Sequence, residues 1–383
     1  MIYLKQSCEK YNEFVQSTSS DFFLLPNTLD YGLYNLIYNI SMNLNPWYMS
    51  NEINTYIVIY RTPINANMIF EKISAISRGI DQSIIFNLGH FSNDPDLNNE
   101  FLSSVIVSIL SDTSNSFSYG SNNDDSILTI HPRSLKLNNI YEFKTIVTNR
   151  IDQTIQFSRT IEIHIQKEDS PLIIIRCQFD TCPFNDGYQL LNLNTDIQLT
   201  ILCKNECNQY HFNMIVWSIY QGFEANGSIF WNKFLIVNNN KIWLFGENSM
   251  NFTVMKNLFQ NNPFINYWRF QVALQLSNNR LGWSATDFHI NQPPYNGTCR
   301  INPSTGDRST LFTILCSEWN DDHDISHYLV YAWINNPNNL ILISFTTASE
   351  FEIYLPLGDP KSHLTVHLIV HIYDSFGAMT HYP

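Results

Sequence analysis

Positive charge is what this chain has least of. Its 383 residues include 21 Lys and Arg against 34 Asp and Glu, a net charge of −13. That balance excludes a nucleic-acid partner, which requires a basic patch to replace phosphate counterions. It also removes the usual means of holding an anionic membrane surface. Charged residues of both signs make up only 14%, against about 25% in ordinary soluble domains. No apolar run reaches about eighteen residues, so no segment reads as a transmembrane helix. The opening MIYLKQSCEKYNEFVQ carries charges where a signal peptide needs its apolar region. Sustained helical periodicity is nearly absent. Gly-rich phosphate loops, a G-x-S-x-G elbow and H-E-x-x-H are missing. The chain is therefore not read as an enzyme, and no catalytic residue and no cofactor is assigned.

What is present is the composition of strands and polar turns. Apolar residues reach 44%, with 20 Tyr and 26 Phe. SHLTVHLIVHIY alternates, placing Leu364, Val366, Leu368, Val370 and Ile372 on one face. HYLVYAWI and FNMIVWSIY read as central strands, and NPSTGD, SNDPD, NNPNN and LGDP as the turns between such strands. NANMIFEKISAISRG reads either as a helix or as a strand followed by a loop. The expectation is an all-β chain of tandem immunoglobulin- or fibronectin-III-like antiparallel β-sandwich modules.

The chain also repeats itself. After Pro171 come LIIIRCQF, turn residues, DIQLTILC and MIVWSIY; after Pro294 come GTCRI, a turn, LFTILC and LVYAWI. Aromatic-rich hairpins precede Pro63, Pro171 and the pair Pro293–Pro294. Proline fixes φ and lacks an N–H, which suits a stiff joint where one sheet ends. Four pieces are expected: 1–65, the C-terminal part of a truncated module; 66–170, a divergent sandwich; 171–292 and 293–383, two disulfide-bonded sandwiches. The first and last look cut, a further strand being expected after the DSFG turn.

Cys299 and Cys316 flank a turn near Ser304–Asp307 and are expected to bond across a hairpin. Cys177, Cys182, Cys203 and Cys207 allow three pairings. The repeat equates Cys177 with Cys299 and Cys203 with Cys316, leaving Cys182 with Cys207. A nested pairing, Cys177–Cys207 with Cys182–Cys203, also fits a hairpin. Zinc held by the four thiolates is the competing use, disfavoured because the other repeat offers only two cysteines. Cys8 is the odd thiol. Sequons occur at Asn39, Asn226, Asn251 and Asn296. Paired cysteines and sequons point to a secreted or cell-surface setting, against the unleadered N-terminus. The conflict resolves if Met1 is not the true start.

Two acidic groups, Asp94, Asp96 and Glu100, and Asp321, Asp322 and Asp324, have the oxygen density to hold Ca²⁺ between modules. Neither matches an EF-hand loop, and loop carboxylates are ordinarily solvated, so no metal ligand is assigned. His363, His367 and His371 recur every four residues, but on a strand His367 and His371 fall opposite the valines as surface residues.

NQPPYNGTCRINPSTGDRSTLFTILCSEWND resembles the receptor-for-egg-jelly (REJ) region of the large polycystins and related sperm receptors. The resemblance lies in Pro293, Pro294, Cys299, Pro303, Gly306, Cys316 and Trp319. It continues in YLPLG and in VHIYDSFGAMT, with Asp374, Gly377 and Ala378. LDYGLYNLIYNISM, SNDPDLNN and LTIHPRSLKLNNIYEFKTIVT resemble it upstream. Asn296 replaces the family's second glycine, and FLSSVIVSILSDTSNS lacks its tryptophan–cysteine strand. The resemblance implies an ectodomain segment of tandem sandwiches on the extracellular face of the plasma membrane. It also implies a receptor with an extracellular protein or glycan ligand. Proteins of this kind continue into an autoproteolytic domain and a many-pass membrane region associated with cation-channel signalling.

Overall fold

A computed structural model describes, with side chains, residues 72–87, 127–148, 156–178, 182–184, 188–203, 207, 211–225, 227–235, 242–360 and 363–383. Backbone strands are also placed at Ile2–Gln6, Gly32–Leu44, Trp47–Ile59, Phe101–Ile109 and Ser116–Tyr119. Strands dominate, and the one α-helix among the described residues is a single turn, Asn257–Gln260. Alternation is the cause. In Tyr267–Leu276 the side chains of Trp268, Phe270, Val272, Leu274 and Leu276 are all fully buried, while the intervening residues face the other way. Each such burial contributes about 2 kcal/mol. Within NANMIFEKISAISRG the described part contains the strand Ala75–Gly79.

The described strands fall into four consecutive groups, or units. The first is an antiparallel meander of Ile2–Gln6, Gly32–Leu44 and Trp47–Ile59. The second pairs Ala75–Gly79 in parallel with Gln156–Gln166 and continues through Ile140–Asn149 and Phe101–Ile109 to Ser116–Tyr119. Ile84–Asn87 and Ile127–Ile130 make its second layer. The third unit packs the sheet Ile174–Cys177, Ile197–Leu202, Asn251–Val254, Leu244–Phe245 against a sheet holding Ser228–Lys233, Phe212–Ala225, Tyr267–Leu276 and Leu281–Asn291. The ring of Trp217 stacks on Phe252 between those layers at 4.9 Å. The fourth sets Thr298–Asn302, Phe312–Ser317 and Glu350–Ile353 against Ile341–Thr346, Ile325–Trp333, His367–Asp374 and Met379–Tyr382. The strand expected after DSFG is thus Met379–Tyr382. Leu364 is not part of the last apolar face: it lies in the turn before it, 59% exposed and at φ 60°.

The joint at Pro171 is not the end of a sheet. Strand Leu281–Asn291 carries two partners along one edge. Ala75–Gly79 of the second unit pairs at Ser284 and Ala285, and Tyr188–Asn192 pairs in parallel at Phe288–Asn291. One eleven-stranded sheet therefore runs through both units, covering edges that would otherwise be open. The second layer is shared too, since Ile173 and Ile175 enter the third unit's core while Ile174 enters the second's. Gly282 is required by this approach, because a Cβ there would lie 2.8 Å from the Pro171 carbonyl oxygen.

On the outer face of the shared sheet, Arg269 binds both units. It donates from Nε and Nη2 to Asp287 at 2.6 and 2.9 Å, and from Nη1 and Nη2 to Glu162 at 3.2 and 3.1 Å. Trp231 covers the guanidinium at 4.4 Å. Burial alone would raise the Glu162 carboxyl, but His164 and Arg269 outweigh it and hold it at about 2. Asp287 is more deeply buried, and burial pushes its carboxyl up despite the Arg269 contact.

Candidate functional site at the last joint

The third and fourth units meet at Asn291–Tyr295. Here the residues that carry the family motif hold one another. Thr380 donates its hydroxyl to the Pro294 carbonyl. Tyr295 and Asn320 exchange backbone hydrogen bonds at 2.9 and 3.0 Å. The Trp319 indole lies against Gly297, where any Cβ would overlap it, and meets Tyr382 edge-on at 5.8 Å. Asp374 Oδ1 accepts the N–H groups of Phe376 and Ala378 at 2.9 and 2.7 Å and so fixes the turn. Gly377 supplies that turn's positive φ of 84°. An open cleft of about 610 Å³ lies beside the joint, lined among others by Pro294, Tyr295, Asn296, Trp319 and Asp322.

A buried polar cluster lies at the same joint. Asp321 and His323 come from the loop between Phe312–Ser317 and Ile325–Trp333, and Asp374 ends the strand His367–Asp374. His323 Nδ1 lies 3.7 Å from Asp321 Oδ1 and 3.8 Å from Asp374 Oδ2. Asn291 donates to Asp374 Oδ2 at 2.7 Å, reaching across from the third unit. Burial first, and then the nearby Asp374 carboxylate, push the Asp321 carboxyl up; the His323 backbone N–H opposes them. Of the predicted acidic trio only Asp321 belongs here. Asp322 lines the cleft, and Asp324 offers its carbonyl to the Ser375 N–H. His323 and Asp374 were missed because the partners are 51 residues apart in sequence, and an alternating strand gives no sign of what its last residue faces.

A second candidate is the outer face of the sheet built on Ile325–Trp333 and His367–Asp374. Val330, Ala332, Val370 and Ile372 point inward. The opposite face carries a ladder of rings. Trp333 stacks on His367 at 4.9 Å, Tyr331 meets His371 at 4.7 Å, and His327 stacks on Tyr373 at 4.6 Å. His381 adds a contact to His371 at 4.4 Å, and Phe345 one to His327 at 5.2 Å. His367 lies at the surface as expected. His371 does not: Tyr331 and His381 cover it to 9% exposure, and burial lowers its pKa.

The remaining sequence-predicted sites fall as follows. Cys299 and Cys316 face each other in register and are bonded. The repeat-based pairing of the other four is corrected, and so is the nested one, because the bonds are Cys177–Cys182 and Cys203–Cys207. Register is the reason. Cys177 lies opposite Leu199, so Cys203 is four residues farther along, about 13 Å away on a strand. Each cysteine instead bonds within its own strand-end loop. Asn296 is exposed at a positive-φ corner (62°). Asn251 is exposed at a strand start, its Oδ1 accepting the Thr200 hydroxyl at 3.0 Å. Asn39 lies in the strand Gly32–Leu44. Asn226, Cys8, Asp94, Asp96 and Glu100 lie outside the described residues.

Comparison with known proteins agrees with these motifs. A family model described as the REJ domain matches residues 6–383. The "Polycystin family receptor for egg jelly" of Mus musculus is 24% identical over 270 residues, 67% of this chain. The match spans 12% of that protein's length. Among solved structures, the chicken CNTN1 FN1–FN3 domains align over 84% of this chain and 98% of theirs, at 8% identity and a TM-score of 0.28. Domains A168–A170 of titin align over 82% and 93%, at 9% identity and a TM-score of 0.27. The strand order itself makes the sandwiches. With the REJ model running through nearly every residue, the chain belongs to the REJ-domain family and is a polycystin-like REJ segment.

Proposed function

We propose that this chain is an extracellular segment of a polycystin-like cell-surface receptor. It is attached to the membrane only through regions outside these residues, binds an extracellular protein or glycan, and acts as a spacer bearing force toward a cation-channel region. The observation that supports recognition is the ring ladder of the fourth unit. Trp, Tyr and His present flat apolar faces with polar rims on one sheet face, and such residues are enriched where ligands bind. Phe345 at its edge is 62% exposed. Glycosylation at Asn296 and Asn251 belongs to the same reading.

The test is binding of the full chain, produced through a eukaryotic secretory pathway, to a glycan array and to panels of extracellular proteins. Wild type and the double variant Trp333→Ala/Tyr331→Ala are compared. A ligand lost at least tenfold in the variant is the expected result. Equal binding by both would remove the ladder as the recognition face. A passive stalk is the second reading, supported by the sheet continuing from Ala75–Gly79 into Leu281–Asn291. It predicts no ligand for either chain.

A further inference from the structure

We propose that Asp321, His323 and Asp374 bind a divalent cation of the zinc class beside Asn291, and that this ion locks the joint between the third and fourth units. One donor atom from each of the three residues lies within 4.8 Å of the other two. The separations of 3.7 and 3.8 Å from His323 Nδ1 to the two carboxylates exceed a hydrogen bond. They are close to the edge of a tetrahedron of ligands, about 3.4 Å for metal–ligand bonds of about 2.1 Å. A small inward rotation of the side chains closes the difference.

The cluster is built for a ligand from outside the chain, as its unsatisfied atoms indicate. The Asp321 side chain is 1% exposed, yet its Oδ2 has no hydrogen-bond partner. Asn291 is likewise 1% exposed, and its Oδ1 has none either. Among the described residues, no lysine or arginine forms an ion pair with Asp321 or Asp374. Two carboxylates held this close and this dry are costly without positive charge, and a bound cation supplies it.

The surroundings also fix the donors. Asp374 Oδ1 is committed to the Phe376 and Ala378 N–H groups, which leaves Oδ2 turned toward His323. The His323 backbone N–H holds Asp321 Oδ1 at 2.7 Å, and the Phe376 ring packs edge-on against the imidazole at 4.6 Å. Such outer contacts orient metal ligands.

Donor chemistry selects the ion. Ca²⁺ takes six to eight oxygen ligands, whereas an imidazole with two carboxylates suits zinc and its neighbours. The Asn291 carboxamide, or a water beside it, completes the fourth position. Because Asn291 ends the last strand of the third unit, the ion ties that unit to the loop and turn of the fourth. The site is separate from the ring ladder, and its test does not depend on a ligand being found there.

The test is calorimetric titration of the full chelator-treated chain with ZnCl₂, and separately with CaCl₂. Expected is one Zn²⁺ site whose affinity falls at least tenfold in His323→Ala and in Asp321→Asn. Asp322→Asn and His381→Ala, which remove neighbouring donors outside the cluster, leave it unchanged. Circular dichroism establishes that each variant is folded, and His323→Cys, which restores a zinc donor, recovers part of the affinity. Replacing Zn²⁺ with Co²⁺ gives the visible absorption of a four-coordinate site in wild type, Asp322→Asn and His381→Ala, and not in His323→Ala. Zn²⁺ binding that is absent, or equal in His323→Ala, or lost instead in His381→Ala, overturns the proposal. So does a Ca²⁺ site indifferent to His323.

Discussion

Replacing Arg269 by leucine tests how the second and third units are held together. The guanidinium makes four contacts of 2.6–3.2 Å to two carboxylates. Its side chain is 10% exposed, that of Asp287 8% and that of Glu162 24%. At about 4 Å and an effective dielectric of about 20, each charge pair is worth about 4 kcal/mol before desolvation is subtracted. Burial returns most of that, and the greater exposure of Glu162 discounts its share further. Arg269→Leu nevertheless leaves two buried carboxylates without their cation, a change that costs about 3–5 kcal/mol. Urea unfolding followed by tryptophan fluorescence is the assay, since Trp231, Trp268 and Trp283 lie on these strands. The control removes all three charges at once, as Arg269→Leu/Asp287→Leu/Glu162→Gln, and recovers most of the loss because no stranded charge remains. A loss below about 1 kcal/mol in the single variant, or a triple variant no more stable than the single, refutes the account.

The same cluster predicts a pH dependence. Glu162 sits at about 2, below its ordinary 4.5, so it stabilises above 4.5 and that contribution, about 3 kcal/mol, disappears as pH falls toward 2. Asp287 has the opposite sign, its raised carboxyl gaining stability as pH falls toward 3.8; the Glu162 part is therefore read as wild type minus Glu162→Gln, and curves that stay parallel from pH 5 to 2 would contradict it. Cys299→Ser/Cys316→Ser opens a loop with a sequence separation of 17 and costs the fourth unit about 3 kcal/mol; non-reducing mass spectrometry that finds both thiols free in secreted wild type would disprove the bond. Gly297→Val drives a side chain into Trp319 and costs about 1–3 kcal/mol by thermal denaturation. Adding Trp319→Ala to it relieves the clash, and equal melting temperatures for wild type and Gly297→Val would count against the packing.

Some of this was legible residue by residue. Leu368, Val370 and Ile372 alternate with His367 and His371, and the observed strand keeps that division. The Cys299–Cys316 pairing was legible because the two cysteines flank one turn-rich segment that joins the neighbouring antiparallel strands Thr298–Asn302 and Phe312–Ser317 directly. The same reasoning failed for Cys177 and Cys203. A longer excursion separates them, including the parallel strand Tyr188–Asn192, so no single turn sets the register. The motif residues Trp319, Asp374 and Gly377 carry the resemblance without showing their use. The structure gives the use: a ring against a glycine, and a carboxylate closing a turn.

The sequence by itself determined that the chain is built of β-sandwiches and which family it resembles. Alternation, turn residues and a local hairpin are short-range properties that neighbouring residues fully express. Only the tertiary structure decided that Ala75–Gly79 joins the edge of Leu281–Asn291 and that Arg269 answers Glu162, 107 residues away. It alone brought Asp321, His323, Asp374 and Asn291 to one buried point. Sheet edges pair through backbone groups that every residue carries, and buried charges find partners across folded space, so neither leaves a pattern in the order of residues.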